Sequence, residues 1–309
     1  MNVIVRDLRP GVRGDAEGFA RVRRLVLPYL LATPESVLHD LAHAHPDARV
    51  RRLVAEENGE IIGTAQVGVA HDSPEPGVGS VNVCVHPGRR HRGAGTLLVR
   101  AGEEHLAAHG VRKVYSWVLD EPGHRAFAQR HGYRASRPAR FLRLDLAHAP
   151  LPPLPAPPAG VELRTAAEFA DDPRPLFRLD AECVQDEPSD VEAELGDYEA
   201  WVEEYFRHPM LDRELTSVAV ADGRAVAFSV AHTNGRTHYQ TAMTGTARAF
   251  RGRGLAKLVK SHSLHRARAA GYTWAYTGND AENAPMLAVN RWFGYEICAT
   301  EVRHVRELA

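Results

Sequence analysis

Two stretches of the sequence combine residue types and spacing suited to holding an anion: "RHRGAGT" at 90–96 and "RGRGLAK" at 251–257. Each places arginines and closely spaced glycines between an apolar run that reads as a strand and a run that reads as a helix. A strand entering a helix through glycine aims several unpaired backbone N–H groups, and the positive end of the helix dipole, at one point. Glycine lets a phosphate approach the backbone, and arginine adds fixed charge suited to its oxygens. Neither turn is a P-loop, because the GK[ST] ending is missing. Neither is a dinucleotide fingerprint, because the GxGxxG spacing fails and no βαβ unit opens either half.

The elements that must position these turns also occur twice. Arg90, Gly93 and Gly95 align with Arg251, Gly254 and Ala256, and Gly110 aligns with Gly271, all at one offset. The offset changes by a few residues between Gly59 and Gly223 on one side and between Gly132-Tyr133 and Gly294-Tyr295 on the other. Loop-length changes within a duplicated, domain-sized unit produce such drift. The first half reads as a strand "NVIVRDL", helices over 15–31 and 34–45, and a hairpin about Asn58-Gly59. A strand "SVNVCV", the glycine turn, a helix over about 92–109 and a strand "KVYSWVL" follow. The half closes with a helix ending near Gly132 and a strand "RFLRLDL"; the second half repeats the order from Val161. Leu97, Leu98 and Ala101, like Leu255, Leu258 and Val259, are read as the sheet-facing side of the two long helices. The fold class is therefore α+β, with two tandem domains that each carry a mixed, mostly antiparallel sheet flanked by helices.

Residues 149–160, "APLPPLPAPPAG", hold six prolines, a composition that favours extended polyproline and reads as a semi-rigid spacer. The expected division is thus 1–148, a linker over 149–160, and 161–309. The chain of 309 residues is 44% hydrophobic and 25% charged, a balance typical of a water-soluble globular protein. Its net charge of -1 excludes a global electrostatic case for nucleic acid. No apolar run of spanning length is present, so neither a membrane segment nor a secretory signal is expected. Cys84, Cys183 and Cys298 are odd in number and form no CxxC pair, which favours a reducing cytoplasm. His39, His43 and His45 lack an HExxH context or a further ligand, so no metal site is expected.

The signature turns, the strands before them, the long helices after them and the late "GY" pairs at Gly132 and Gly294 resemble the GNAT superfamily of acetyl-CoA-dependent N-acetyltransferases. Both turns match its [QR]xxGx[GA] signature, and the resemblance covers nearly the whole chain twice, as in tandem members of the superfamily. It implies acetyl-CoA as cofactor, with the pyrophosphate cradled by Arg90, His91, Arg92, Gly93, Ala94, Gly95 and Thr96 in the first half. In the second half Arg251, Gly252, Arg253, Gly254, Leu255, Ala256 and Lys257 would do the same. The strands at Val83 to Val85 and Thr244 to Thr246 would pair with the pantetheine arm. Asn283 falls where many members place a cofactor-contacting asparagine; the first half has Glu121 there, which favours the second half as the catalytic one.

At the positions where many members carry a glutamate base and a tyrosine acid, this chain departs from the family. The resemblance puts Gln240 (or, by a shift of one, Tyr239) and Asn290 there in the second half, and Gly79 and Ala128 in the first. Gln240 and Asn290 cannot titrate, so His238 becomes a candidate for proton removal. The resemblance implies direct attack of a primary amine on the thioester in a ternary complex, in a monomer that is a pseudo-dimer of domains or in a homodimer. Asp180, Glu182, Asp186, Glu187, Asp190, Glu192, Glu194, Asp197, Glu199, Glu203 and Glu204 lie in a region that lines the acceptor cleft in this family, with no lysine or arginine among them. Such a field suits a small cationic acceptor. The other reading is a non-catalytic acyl-CoA-binding or sensing protein, supported by the missing glutamate and tyrosine.

Overall fold

The computed structural model describes residues 3–189, 191 and 194–308. Two compact units are present: Met1–Ala139 with Ala299–Ala309 (unit 1), and Arg140–Cys298 (unit 2). Unit 1 contains β1 (Val3–Asp7), α1 (Arg13–Val26), α2 (Pro34–Ala42), β2 (Arg51–Glu57), β3 (Glu60–Val69), β4 (Val78–Val85), α3 (Ala94–Ala108), β5 (Lys113–Leu119) and α4 (Pro122–Arg130). The strand β6 (Arg134–Asp145) carries the chain into unit 2. There follow β7 (Val161–Thr165), α5 (Arg174–Val184), the single turn α6 (Tyr198–Trp201), β8 (Ser217–Ala221), β9 (Arg224–Thr233) and β10 (His238–Thr246). Unit 2 continues with α7 (Leu255–Ala269), β11 (Trp274–Asp280) and α8 (Ala284–Trp292), and β12 (Glu296–Glu307) returns to unit 1.

The strand order is the same in both units: β1-β2-β3-β4-β5 in one, β7-β8-β9-β10-β11 in the other. The sheet of unit 1 is completed by β12, whose residues 301–307 pair antiparallel with 119–113 of β5. Unit 2 is completed by β6 beside β11. The strand "RFLRLDL" therefore belongs with the second unit and the last strand of the chain with the first. The units divide at 139/140 and 298/299, where the sequence reading divides the chain at 148 and 161.

Local chemistry explains most of the elements. Asn58 and Gly59 have φ of 52° and 80°, and Asp222 and Gly223 have 48° and 72°, so each forms the two-residue turn that suits the twist of paired strands. The first helix ends at Val26, short of the expected Leu31, because Leu27 precedes Pro28 and that position disfavours helical backbone. Leu98, Val99, Gly102 and Leu106 form the buried stripe of α3, whereas Leu97 is exposed, contrary to its expected sheet-facing role. A Cβ on Gly102 would stand 2.9 Å from Val81, so the absence of a side chain lets α3 lie on the sheet. The proline-rich segment is held against α7 rather than left as a spacer: Arg268 donates to Ala149 O and His265 Nε2 lies 2.9 Å from Pro152 O.

Each unit contains a parallel pair, and each pair opens. β4 pairs with β5 only from Val78 to Ser80, and β10 pairs with β11 only from His238 to Thr241. Beyond those points the two strands diverge. β10 also takes up one extra residue, Ala242, between its Thr241 and Met243 pairings with β9. A glycine inside a strand often marks a bulge, but this one falls three residues before Gly245. Gly245 is in register and is needed for another reason: a Cβ there would lie 2.6 Å from Cys183 Sγ on α5. No register shift interrupts the β3–β4 pairing.

Candidate active site

In unit 2 the opening between β10 and β11 runs without a break into the glycine turn. The cleft has a volume of about 600 Å³ and is lined by Thr241 to Thr246, Phe250 to Gly252, Gly254 to Lys257, Thr277 to Asn279, and Asn283 on α8. The turn is built from its glycines. Gly252 and Gly254 have φ of 75° and 77°, and a Cβ at either would meet nothing within 4 Å, so their backbone faces open space. Gly254 caps α7, whose first turn receives no side-chain cap. Backbone donors, a helix N-terminus and room for a large anion coincide there. The residues present fit the diphosphate end of a nucleotide thioester.

Of the second-half residues expected to bind cofactor, Thr244, Thr246, Arg251, Gly252, Gly254, Leu255, Ala256, Lys257 and Asn283 line this cleft. Arg253 does not; it turns back to Ala249 O and lies over the Phe250 ring. Asn283 also caps α8, accepting from Met286 N at 3.2 Å.

The three expected proton-handling residues are not brought to the cleft. His238 sits in the closed part of the sheet, opposite Trp274, where it stacks on Tyr276 at 5.6 Å and burial lowers its pKa. Gln240 is still within the paired segment, opposite Tyr276, and strand alternation turns it away from the face on which Tyr239 and Thr241 are buried. Tyr239 is also excluded: it is fully buried against Ser263 at 2.7 Å. Asn290 is fully buried, accepting from Lys260 Nζ at 2.5 Å and donating to Asn279 Oδ1 at 2.5 Å.

The acidic region is largely spent on structure. Asp180 accepts from the Trp201 indole at 2.8 Å, and burial raises its pKa. Asp186 is held at about 2 by hydrogen bonds from Arg248 and then Arg251. Asp197 caps α6 and Glu203 pairs with Arg207. Asp190 and Glu192 lie outside the described residues. Glu187 does line the cleft; its surface stays open to solvent, yet partial desolvation, then Asp180 and Asp280, raises its carboxyl.

Unit 1 is different. Its cavity, about 200 Å³, is lined by Val83 and by Cys84, Trp117, Phe127 and Tyr133, but by none of Val85, Arg90, His91, Arg92, Gly93, Ala94, Gly95 or Thr96. Phe127 stands against the turn, 3.0 Å from where a Cβ on Gly95 would be, and Arg92 is drawn to the buried Glu57 at 2.9 Å. Glu301, from β12, closes the cavity, accepting from Tyr29 Oη at 2.5 Å with its pKa raised by burial. Cys84 is buried with its thiol pKa raised, the state of a small hydrophobic residue rather than a nucleophile.

Sequence reasoning missed Lys260 and Asn279. The signal was present in the repeat: Lys260, the sixth residue of α7, stands where α3 has Val99, and Asn279, the sixth residue of β11, stands where β5 has Val118. A lysine inside an apolar helical stripe is the oddity that comparison of the halves exposes.

A diverging parallel strand pair feeding a glycine turn at a helix N-terminus, built twice on one strand order, defines an acyltransferase of the GNAT class. The acetyltransferase (GNAT) family model matches residues 20–133 and 174–295, and the chain belongs to this family. It is 32% identical over 287 residues to a mycothiol acetyltransferase of Nocardia farcinica, covering 91% of this chain and 90% of the relative. A mycothiol acetyltransferase of Thermomonospora curvata is 29% identical over 256 residues, covering 83% and 82% of the two chains. Among solved structures, a tandem GNAT protein from the clavulanic acid biosynthesis pathway, solved without acetyl-CoA, shares the fold with a TM-score of 0.73 at 22% identity, covering 99% of this chain and 98% of that one. No helix among the described residues is long and apolar enough to cross a membrane, and no group of three or more His, Cys, Asp or Glu among them is placed to hold a metal ion.

Proposed function

We propose that unit 2 transfers the acetyl group of acetyl-CoA to a primary amine of a small, cationic molecule, by direct attack in a ternary complex. The observation that carries this reading is the unbroken cleft from the open end of β10 and β11 to the Gly252–Gly254 turn. Acetyl-CoA would supply the activated acyl group and a thiolate leaving group. Backbone N–H groups of the turn and the start of α7 would hold the diphosphate, and the free edge of β10 beyond Thr241 would align the pantetheine. The acceptor nitrogen then bonds to the acetyl carbon, the C–S pair leaves on sulfur, and the proton lost by nitrogen ends on the thiolate or in solvent. Positioning serves most of this reaction. Glu187 and Glu282 on the cleft wall favour a cationic acceptor, while Asp186 is neutralised by its arginines. Unit 1, with Phe127 against its turn, would serve as scaffold.

One observation favours the second reading, a protein that binds acyl-CoA without turnover: Asn290 stands buried at the place of the family's tyrosine. Release of CoA thiol, measured over a panel of amines, decides between them. We expect release above the uncatalysed rate with at least one amine, its loss in Gly254→Asp and its retention in Gly93→Asp. Gly254→Asp puts a side chain and a negative charge where phosphate would approach, and should weaken acetyl-CoA by about 2–3 kcal/mol. Tight binding of acetyl-CoA with no release for any amine would establish the sensor.

A further inference from the structure

The interior of unit 2 contains a line of three polar side chains that the reaction as written does not use. Lys260 Nζ donates to Asn290 Oδ1, and Asn290 Nδ2 donates to Asn279 Oδ1, both at 2.5 Å. Lys260 and Asn290 have no exposed surface; Asn279 is partly exposed and lies on the cleft wall, two residues past the last β10–β11 pair. The matching positions of unit 1 hold Val99, Ala128 and Val118, which line the unit 1 cavity. The same fold therefore places three apolar residues at these positions in one unit and a lysine and two amides in the other. Burying an amine and two amides in place of aliphatic side chains does not improve packing, since buried polar groups cost free energy that hydrogen bonds only partly return.

The line has a direction. An ammonium has donors and no acceptor, so it requires the carbonyl of Asn290, which turns the Asn290 amide N–H toward the carbonyl of Asn279. What remains at the cleft end is the Nδ2 group of Asn279. We propose that Asn279 is a catalytic residue of the unit 2 site, donating to the sulfur or carbonyl oxygen of the thioester, and that Lys260 is the positioning residue that sets its donor orientation through Asn290. This proposal rests on the acyl-transfer reading of unit 2. A donor at that point stabilises charge that develops as the C–S bond breaks, a task that needs no titrating acid. Deprotonated Lys260 can instead accept from Asn290, which reverses both amides and presents the Asn279 carbonyl to the cleft. The lysine thus decides whether the cleft meets a donor or an acceptor.

The groups around Lys260 leave this decision to the lysine. Tyr295 presents its ring 5.0 Å from Nζ, and Tyr239 is bonded to Ser263; burial raises the pKa of both phenols, so both stay neutral. Burial alone brings the ammonium down to about 7, with no charged neighbour contributing. On the cleft side of Asn279 the charged groups are Asp186, Glu187, Arg251, Lys257 and Glu282, of which Asp186 and Arg251 are paired with each other.

The test joins an NMR titration of the Lys260 ammonium in ¹⁵N-lysine-labelled protein, with and without CoA, to calorimetry of CoA binding. A bound thiolate prefers the donor orientation and so the charged lysine. CoA is expected to raise the Lys260 midpoint in the parent and to leave it unmoved in Asn279→Val, which still binds CoA. In turnover, Asn279→Val should lower kcat about 10- to 100-fold with KM for acetyl-CoA within about twofold, and Lys260→Val should add nothing to it. The combined Lys260→Val, Asn279→Val, Asn290→Ala protein carries the unit 1 residues; it should fold cooperatively and be as slow as Asn279→Val. CoA binding without movement of the midpoint, or multiplicative losses from Lys260→Val and Asn279→Val, would overturn the proposal. Absence of any heat of CoA binding to the parent would defeat the acyl-transfer reading itself, and the proposal with it.

Discussion

Lys260 leaves a mark on stability that no assay of turnover is needed to see. Its folded pKa of about 7 lies below the ordinary lysine value of 10.5, so between those pH values the unfolded chain carries a proton that the folded chain does not. Stability on its account is complete above the unfolded value and is lost as pH falls toward about 7, at about 1.4 kcal/mol per unit. The combined replacement by valine, valine and alanine should therefore gain on the parent by roughly 3–5 kcal/mol as pH falls from about 10 to about 7. Urea denaturation of both proteins at several pH values across that window checks it. A difference that does not change with pH would mean that Lys260 titrates normally. This residue was hard to read from the sequence because nothing local distinguishes a buried lysine from a solvated one. The glycines of the turn were easy to read, since their conformational demand is local.

Hairpins are largely decided by short-range chemistry, and these were legible: Asn58-Gly59 and Asp222-Gly223 turn where their positive φ angles allow, whereas the first helix stops at Val26 instead of running to Leu31. The placement of the irregularity in β10 was not. Gly245 reads as a bulge by type, but the structure uses its missing side chain to admit Cys183 of α5, and the extra residue is Ala242, at the point where β10 leaves β11. A bulge there increases the local twist and re-aims the following backbone. Gly245→Val is expected to push α5 from the sheet and destabilise the protein by about 1–3 kcal/mol, with Cys183→Ala in the same chain recovering part of the loss. Thermal denaturation measures both. Equal stability of Gly245→Val and parent would show that α5 yields freely. The expected proton-handling positions do not line the cleft for a related reason: counting along a strand assigns a position but not the residue at which the strands part.

At the scale of the molecule the sequence displays its duplication but conceals the exchange of its last strands, because each strand alternates well enough to sit in either unit. Residues 299–309 finish unit 1, with Glu301 reaching Tyr29 and Arg306 pairing with Glu103 at 2.8 Å, and residues from Arg140 begin unit 2. A fragment of residues 1–148 made alone should therefore lack cooperative melting and show poorly dispersed amide resonances, with β5 left without its β12 partner. Co-expression with 149–309 should restore a folded protein. Parent-like melting of the lone fragment would contradict this account of the sheet.

Synthesis of the chain runs against this arrangement. A ribosome releases the amino-terminal unit long before the carboxy-terminal residues exist, and domains commonly fold as they emerge. Here the first unit made is among the last completed, since its sheet and the floor of its cavity wait for Ala299–Ala309. A product cut short by only those residues would lack no residue that lines the unit 2 cleft and still leave the other unit unfinished. Residues 1–139 and 299–309 are tied to one another, and a stop introduced at 299 falls on the unit translated first.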